Sequence, residues 1–570
     1  MDSDAAASSL SPAGAFGTIA ELLEDLLTAS ASISCFASRW QTIRARLASL
    51  SSLLSEIADS PHWSENPLLL PILPELLSTL RRTETLCCLC CDASSVVVRG
   101  KLLMQSDLDM AAGWLSKQIN ELEILLRSGV LHQSTAIVLS RPEGSSSKDE
   151  VEFFVRDLFT RLRIGGMEFK RKALVSLVEL LSEDDSFAAA VVATEGSLNC
   201  LISLLDLSSH QSIRESAVLA VSLLVSAGDT PRKCVFEEGA LGPLLRMMEC
   251  GSMYMKEKAA MAVEFITTDT DNAWAISAYG GVSILIQLCK TGSFTAQSHA
   301  AGAIRNISMV EGIPIALAEE GAIPVLMQLL MSGSSPAQSK SANCIAILAS
   351  TSEHLRSLLV QHNGLQKLLH IFHECSGVDT LEHVLRAIYS ISVSDASYRI
   401  LSGSTMFILR LAELVQHGNV TLQHISASLL ANLAISDGNK RAVVGCMGSL
   451  VKLMETSKPD GMQEVGTKAL LSLLSVKSNR KEFVGDEKSL MRLIHMLDPK
   501  SEVVAKKYPV AVVAAIMAGG SHGCRKKLVS AGAYNHVQSL VEMDVAGARK
   551  ALQRLSANRL TNILTRKWRD

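Results

Sequence analysis

Aromatic side chains are scarce in this chain, at 4% of 570 residues. A β-sandwich or barrel of that length would draw on many more of them, so the core must be built from leucine, alanine and valine on helices. Charge of one sign is also lacking: the formal net charge is −3, which gives no general attraction for nucleic acid or an anionic membrane. Long hydrophobic runs are missing too. The longest near the C-terminus, Val510 to Gly520, is too short to span a bilayer, and stable membrane insertion is not expected. No charged-then-apolar leader opens the chain, and position 2 is Asp rather than the glycine that myristoylation needs. The expectation is a soluble protein of the cytoplasm, the nucleus or both.

Catalytic signatures are absent as well. There is no phosphate-cradling G-x-x-x-x-G-K-[ST], no His-Glu-x-x-His and no kinase His-Arg-Asp phrase. Gly519-Gly520-Ser521-His522-Gly523 matches the letters of a hydrolase elbow, but it follows an alanine-rich helical run rather than a strand, so Ser521 reads as a turn residue. The histidines do not gather, apart from His370 and His373 three residues apart. Most of the thirteen cysteines are scattered singly, as small apolar residues of a reducing compartment. Cys87-Cys88-Leu89-Cys90-Cys91 is different. Its C-x-x-C spacings suit zinc, redox chemistry or acylation, while the simpler reading is a helix turning cysteines into a bundle core. The expectation is a non-enzyme with no catalytic residues, no cofactor and no metal.

What the chain does have is a glycine that returns at a nearly fixed interval. Gly196, Gly239, Gly280, Gly321, Gly364, Gly403, Gly445, Gly485 and Gly532 are separated by 43, 41, 41, 43, 39, 42, 40 and 47 residues. A period near 40 signals a helical solenoid. Each glycine precedes an apolar run such as Ala322 to Leu330, then a polar stretch, then a small-residue helix such as Ala300 to Ile307 or Ser426 to Leu433. Glycine at that place suits a sharp turn between helices, because it enters positive φ cheaply. The unit resembles the armadillo repeat, which implies about nine stacked units over residues 150–546 sharing one continuous core.

Ahead of the repeats, helical patterns run over Ile19 to Leu27, Trp40 to Ile57, Leu68 to Cys91 and Met110 to Leu126. The predicted organisation is a disordered stretch at 1–17, a four-helix bundle at 18–140, a Ser- and Gly-rich linker at 141–149, the repeats, and a basic amphipathic capping helix at 547–570. The fold class is all-α, a helical bundle followed by an armadillo-type superhelix. The stretch Ala48-Ser49-Leu50 through Pro74-Glu75-Leu76-Leu77, the Arg81 to Cys91 helix and the basic Arg549 to Leu555 ending resemble plant armadillo proteins whose N-terminal domain is related to that of the U-box ubiquitin ligases. A U-box opens with a Cys-Pro-Ile type phrase. None occurs here, and the space between Leu131 and Glu150 cannot hold one, so the resemblance implies a scaffold without ligase activity of its own.

Importin-α-like receptors, a second armadillo class, hold basic peptides through a ladder of asparagines with tryptophans one turn earlier. The matching positions here are Ser222, Phe265, Asn306, Ile347, Ser390, Asn432 and Leu473. Only two are Asn and none has its Trp, which disfavours cargo binding of that kind. Asn306 and Asn432 either bond inside the stack or touch a peptide. The third helices and their approaches carry Lys256, Lys258, Arg305, Lys340, Arg386, Lys468, Lys506 and Lys507, interleaved with Glu257, Glu264 and Glu382. A cationic row suits an extended, acidic segment of a protein partner rather than nucleic acid or a small molecule; plain solvation of helix ends is the other reading. In the C-terminal segment, Leu552, Leu555, Leu560, Ile563, Leu564 and Trp568 recur at helical spacing beside Arg549, Lys550, Arg554, Arg559, Arg566 and Lys567. Such a helix caps the last repeat or lies on a membrane. The functional expectation is a protein-binding scaffold. A non-catalytic role in ubiquitination and a membrane-peripheral tether are the alternatives.

Overall fold

The structure is a computed structural model, and it describes residues 11–61, 63–91, 101–128, 131, 148–375, 377–519 and 521–556. The described residues form helices and turns, with no strand among them. They divide into two compact units, Met1–Ile266 and Thr267–Asp570. The division falls inside the repeats rather than at the linker expected near residue 150.

The first unit opens with α1 (Pro12–Ser30), α2 (Ala37–Ala58), α3 (Ile72–Cys91) and α4 (Lys101–Ser128). Helix α1 starts inside the stretch expected to be disordered, because Ser11 accepts from the Gly14 amide at 3.2 Å and Pro12 fits a first turn. Helices α1 and α4 both pack on α2 and α3. Apolar residues three and four apart turn inward, among them Ile19, Leu23, Leu26, Trp40, Ile43 and Leu47. Cys87 and Cys90 face this core, whereas Cys88 and Cys91 are exposed. The Cys35 thiol donates to the Cys90 carbonyl at 2.7 Å. Burial pushes the Cys87 thiol up to about 12 and the Cys90 thiol up as well. Among the described residues no three His, Cys, Asp or Glu gather to hold a metal.

Then follow α5 (Lys148–Ile164), α6 (Met167–Glu183), α7 (Phe187–Ala193) and α8 (Ser197–Ser203). From α6 onward the long third helices stack on one another, here α6, Gln211–Ser226 and Met253–Ile266. In the second unit the same ladder runs through Phe294–Ile307, Ser335–Thr351, Val378–Ile391, Val420–Asn432, Met462–Leu474 and Lys507–Ile516. Small residues allow the close approach: Ala300, Ala301 and Ala303 are fully buried, and the Cys344 thiol of the next helix reaches the Ala301 carbonyl at 3.5 Å.

Two glycine series with the same period shape each repeat. The first joins helix one to helix two; Gly321, at φ +81°, is in the left-handed region, and Gly196, Gly239, Gly280 and Gly532 behave likewise. The expectation fails at the other four. Asn363 rather than Gly364 takes the positive φ, at 57°, while at Gly403 and Gly485 the following Ser404 and Asp486 make the turn as extended N-caps. Gly445 lies in the 3₁₀ turn Val444–Cys446. The second series, Gly251, Gly292, Gly333 and Gly418, forms the corner between helices two and three. Its backbone is extended with φ between −71° and −74°, which any residue adopts. Space is the constraint there: a Cβ on Gly292 would lie 2.6 Å from the Leu288 carbonyl oxygen and 3.1 Å from the Ala296 Cβ.

The C-terminal basic segment is described over its first part. Ala548–Ser556 packs on Lys507–Ile516 and on Ala533–Glu542, as each third helix packs on its neighbours. It holds the place of a third helix on the stack, and the remainder of the expected capping segment, 557–570, lies outside the described residues. Ala548, Ala551 and Leu555 form its buried face. No single described helix is long and apolar enough to cross a membrane.

Candidate partner-binding surface

The solvent-facing side of the third helices is where the sequence places a cationic row, and the structure sorts its members. Lys256 and Lys258 belong to the first unit. Both are half-buried, and Lys258 sits 5.6 Å from the centre of the Tyr254 ring. Glu215 accepts from Ser252 at 3.0 Å on the neighbouring helix and raises, with Glu257 and burial, the Tyr254 hydroxyl.

The other six residues lie in the second unit. Asn306 is buried and donates to the Thr267 hydroxyl at 3.1 Å, so it serves the stack and not a ligand. Asn432 is exposed at the end of its helix. Lys468 is held by Glu464 at 2.6 Å. Arg386 binds Glu382 at 2.9 Å, and Glu382 accepts in turn from Asn419 at 3.3 Å. Lys506 leaves the row altogether: its ammonium donates to the carbonyls of Met496, at 2.9 Å, and of Ser501.

Arg305, Lys340 and Arg386 stand on three successive third helices, with two histidines nearby that the sequence reading passed over. Arg305 and Lys340 both act on the buried Cys344 thiol, which desolvation raises and they lower. The half-buried Arg305 Nε has no hydrogen-bond partner among the described residues, and neither has the half-buried His383 Nδ1. Burial holds His383 below its ordinary value. Glu382 and Asp379 oppose that effect, while Arg386 and Arg305 add to it. Burial and Arg386 likewise lower His424. Arg305 thus lies near both Cys344 and His383, Lys340 near Cys344, and Arg386 near His383 and His424, on successive third helices. Half-exposed Tyr389, one turn beyond Arg386, adds an aromatic face.

A signal for His383, though not for His424, was available in the register. His299, Lys340 and His383 hold the same place, seven residues before Asn306, Ile347 and Ser390, on successive helices. The sequence reading counted permanent charges and so overlooked two members of that column.

At the C-terminus, Arg554 donates to the Ala514 carbonyl at 2.5 Å and Arg549 pairs with Asp544 at 3.1 Å. Lys550 is exposed. Arg559, Arg566, Lys567 and Trp568 lie outside the described residues. Ser521 accepts from the Cys524 amide at 3.5 Å as the N-cap of the next helix, the turn role its sequence suggested. His370 pairs with Glu374 at 3.3 Å on the same exposed helix face.

Fold and surface together define an all-α solenoid of the armadillo type. Residues 269–309 match the Armadillo/beta-catenin-like repeat family, and residues 17–130 match a domain of unknown function, DUF7032. Among solved structures, the chain is similar to an engineered protein from the Northeast Structural Genomics Consortium, with TM-score 0.57, 25% identity, and coverage of 71% of this chain and 99% of that one. A computationally designed armadillo repeat protein for modular peptide recognition is also similar, with TM-score 0.39, 22% identity, and coverage of 41% and 98% respectively. The comparison with curated proteins returns no match.

Proposed function

We infer that this chain is a non-catalytic protein-binding scaffold, and that the third-helix surface of the second unit takes an extended acidic segment of a partner protein. The observation that carries the reading is the succession of Arg305, Lys340 and Arg386 on adjacent third helices, with half-buried His383 and His424 beside Arg386. Carboxylates there are fewer: Glu382 is already engaged, and Asp379 is the other acid acting on His383. An extended segment suits the ladder because each helix adds one contact row, and acidic side chains supply the counter-charge. Designed armadillo proteins made for modular peptide recognition are built on the same kind of repeat.

Proximity labelling in cells that express the protein tests this reading. The intact chain is compared with the combined variant Arg305→Glu, Lys340→Glu, Arg386→Glu, after circular dichroism has shown equal folding. Loss of specific acidic neighbours is the expected outcome. An unchanged neighbour list would show that the charges only solvate helix surfaces.

A further inference from the structure

The first unit holds a concavity of a different kind. A cavity of about 930 Å³ lies between the C-terminal half of α4, one face of α5, and α8 with the turn before it. On α5, Arg156 and Arg163 are seven residues apart and so share the face that lines it. Lys170, Asn199 and Cys200 line it as well.

Arg163 is seated with care. Its Nη2 donates to the Glu195 carbonyl at 2.7 Å, and a Cβ on Gly196 would come within 2.4 Å of that nitrogen. A side chain at this position, where φ is +65°, would displace the guanidinium tip. Arg163 and Lys170 both act on the Cys200 thiol, lowering what burial raises, so two cations converge on one wall. Three acids line the cavity as well: Glu121 meets Lys117 and Glu152 meets Lys148, each at 3.5 Å, and Glu195 adds one further carboxylate. Arg156, Arg163 and Lys170 meet no carboxylate among the described residues.

We propose that this cavity binds a small ligand carrying clustered phosphate groups. The lining carries five cations, Lys117, Arg127, Arg156, Arg163 and Lys170, against three carboxylates, Glu121, Glu152 and Glu195, and that excess calls for more than one negative charge on the ligand. Two guanidiniums suit phosphate oxygens, which they can grip with paired N–H groups, and the Asn199 amide adds a neutral donor. The volume lies within the roughly 300–1,000 Å³ of small-ligand sites. This site is independent of the peptide surface proposed above, which lies in the second unit.

The test is isothermal titration calorimetry of the full-length protein with inositol hexakisphosphate at physiological salt. The variants are Arg156→Gln and Lys170→Gln, with Lys526→Gln as a remote control on an exposed helix. The Arg156 side chain makes no hydrogen bond or ion pair within the described structure, so its replacement should leave the melting temperature unchanged and isolate binding from folding. Single-site binding is expected in the wild type and the control, weakened about tenfold in each cavity variant, the size of one charge-assisted hydrogen bond. Ligand should raise the melting temperature in step with affinity. No binding, equal binding in all four proteins, or a spread of weak salt-sensitive sites would overturn the assignment. A polyaspartate peptide that binds the cavity more tightly than the polyphosphate would also overturn it.

Discussion

Replacing Gly292 by alanine tests whether the corners of this solenoid are limited by space rather than by backbone angle. The added Cβ would sit 2.6 Å from the Leu288 carbonyl oxygen, where ordinary contact begins at 3.4 Å, and 3.1 Å from both the Ala296 Cβ and the Leu288 Cδ1. Relief requires the corner to open by several tenths of an ångström. That motion strains the Gly292 N–H bond to the same oxygen, now 2.9 Å, and shifts the third helix that begins two residues later. Overpacking of this sort costs about 1–3 kcal/mol, while the stiffer unfolded chain returns about 0.4–1 kcal/mol. The net expectation is a loss of about 1–2 kcal/mol. Urea unfolding supplies the midpoint, and amide hydrogen exchange in Gly281–Thr291 and Phe294–Ile307 locates the damage, since repeat arrays open locally. Gly321 provides the contrast. It has no atom within 4 Å of its Cβ position, so its constraint is φ alone. Gly321→Asn should be tolerated, as Asn363 is in the equivalent turn, while Gly292→Asn should be as harmful as alanine. A Gly292→Ala protein as stable as the wild type, or rescue of that site by asparagine, would refute the steric argument.

Thiol labelling under native conditions should be fast at the exposed Cys88, Cys91 and Cys250 and slow at Cys289 and Cys446, whose thiols burial pushes up to about 12; mass spectrometry of timed samples reads the order. His373, His383 and His424 are all lowered in the folded chain, with burial the largest cause at each. The unfolded chain therefore takes up protons first, so stability is complete above the unfolded value of 6.5 and falls as pH drops below it toward the folded values. Urea midpoints from neutral to mildly acidic pH should show that decline, less steeply in a His383→Gln, His424→Gln protein. Arg554→Ala removes the donor to the Ala514 carbonyl and should cost about 1–2 kcal/mol, seen as earlier exchange of the Ala548–Ser556 amides with the rest of the chain unchanged.

The repeat period was legible because every unit must turn its chain at the same two corners. The chemistry of each turn was less so. Five of the nine marker glycines take a positive φ, but Asn363, Ser404 and Asp486 achieve the same reversal with a left-handed asparagine or a capping side chain. Geometry recurs more strictly than residue type. The corner series at Gly251, Gly292, Gly333 and Gly418 was equally periodic in the sequence, yet its steric cause lies in the carbonyl four residues back and becomes visible only in three dimensions. In the bundle, α4 begins nine residues before the expected Met110, because exposed Leu102 and Leu103 blur its apolar stripe. At the peptide surface the i, i+4 pairs Glu382–Arg386 and Glu464–Lys468 could be read from spacing. The carbonyl grip on Lys506 could not, nor could the cavity whose walls come from α4, α5 and α8, far apart in sequence.

The alanine-lined contacts between third helices have one more consequence. Between Phe294–Ile307 and Ser335–Thr351, the buried Ala300, Ala301 and Ala303 leave little soft side-chain matter. Such a stack presents a preset template, and a flexible acidic segment that docks on it bears nearly all of the ordering entropy itself. Affinity would then be tuned mainly by how extended and how charged the partner already is before they meet.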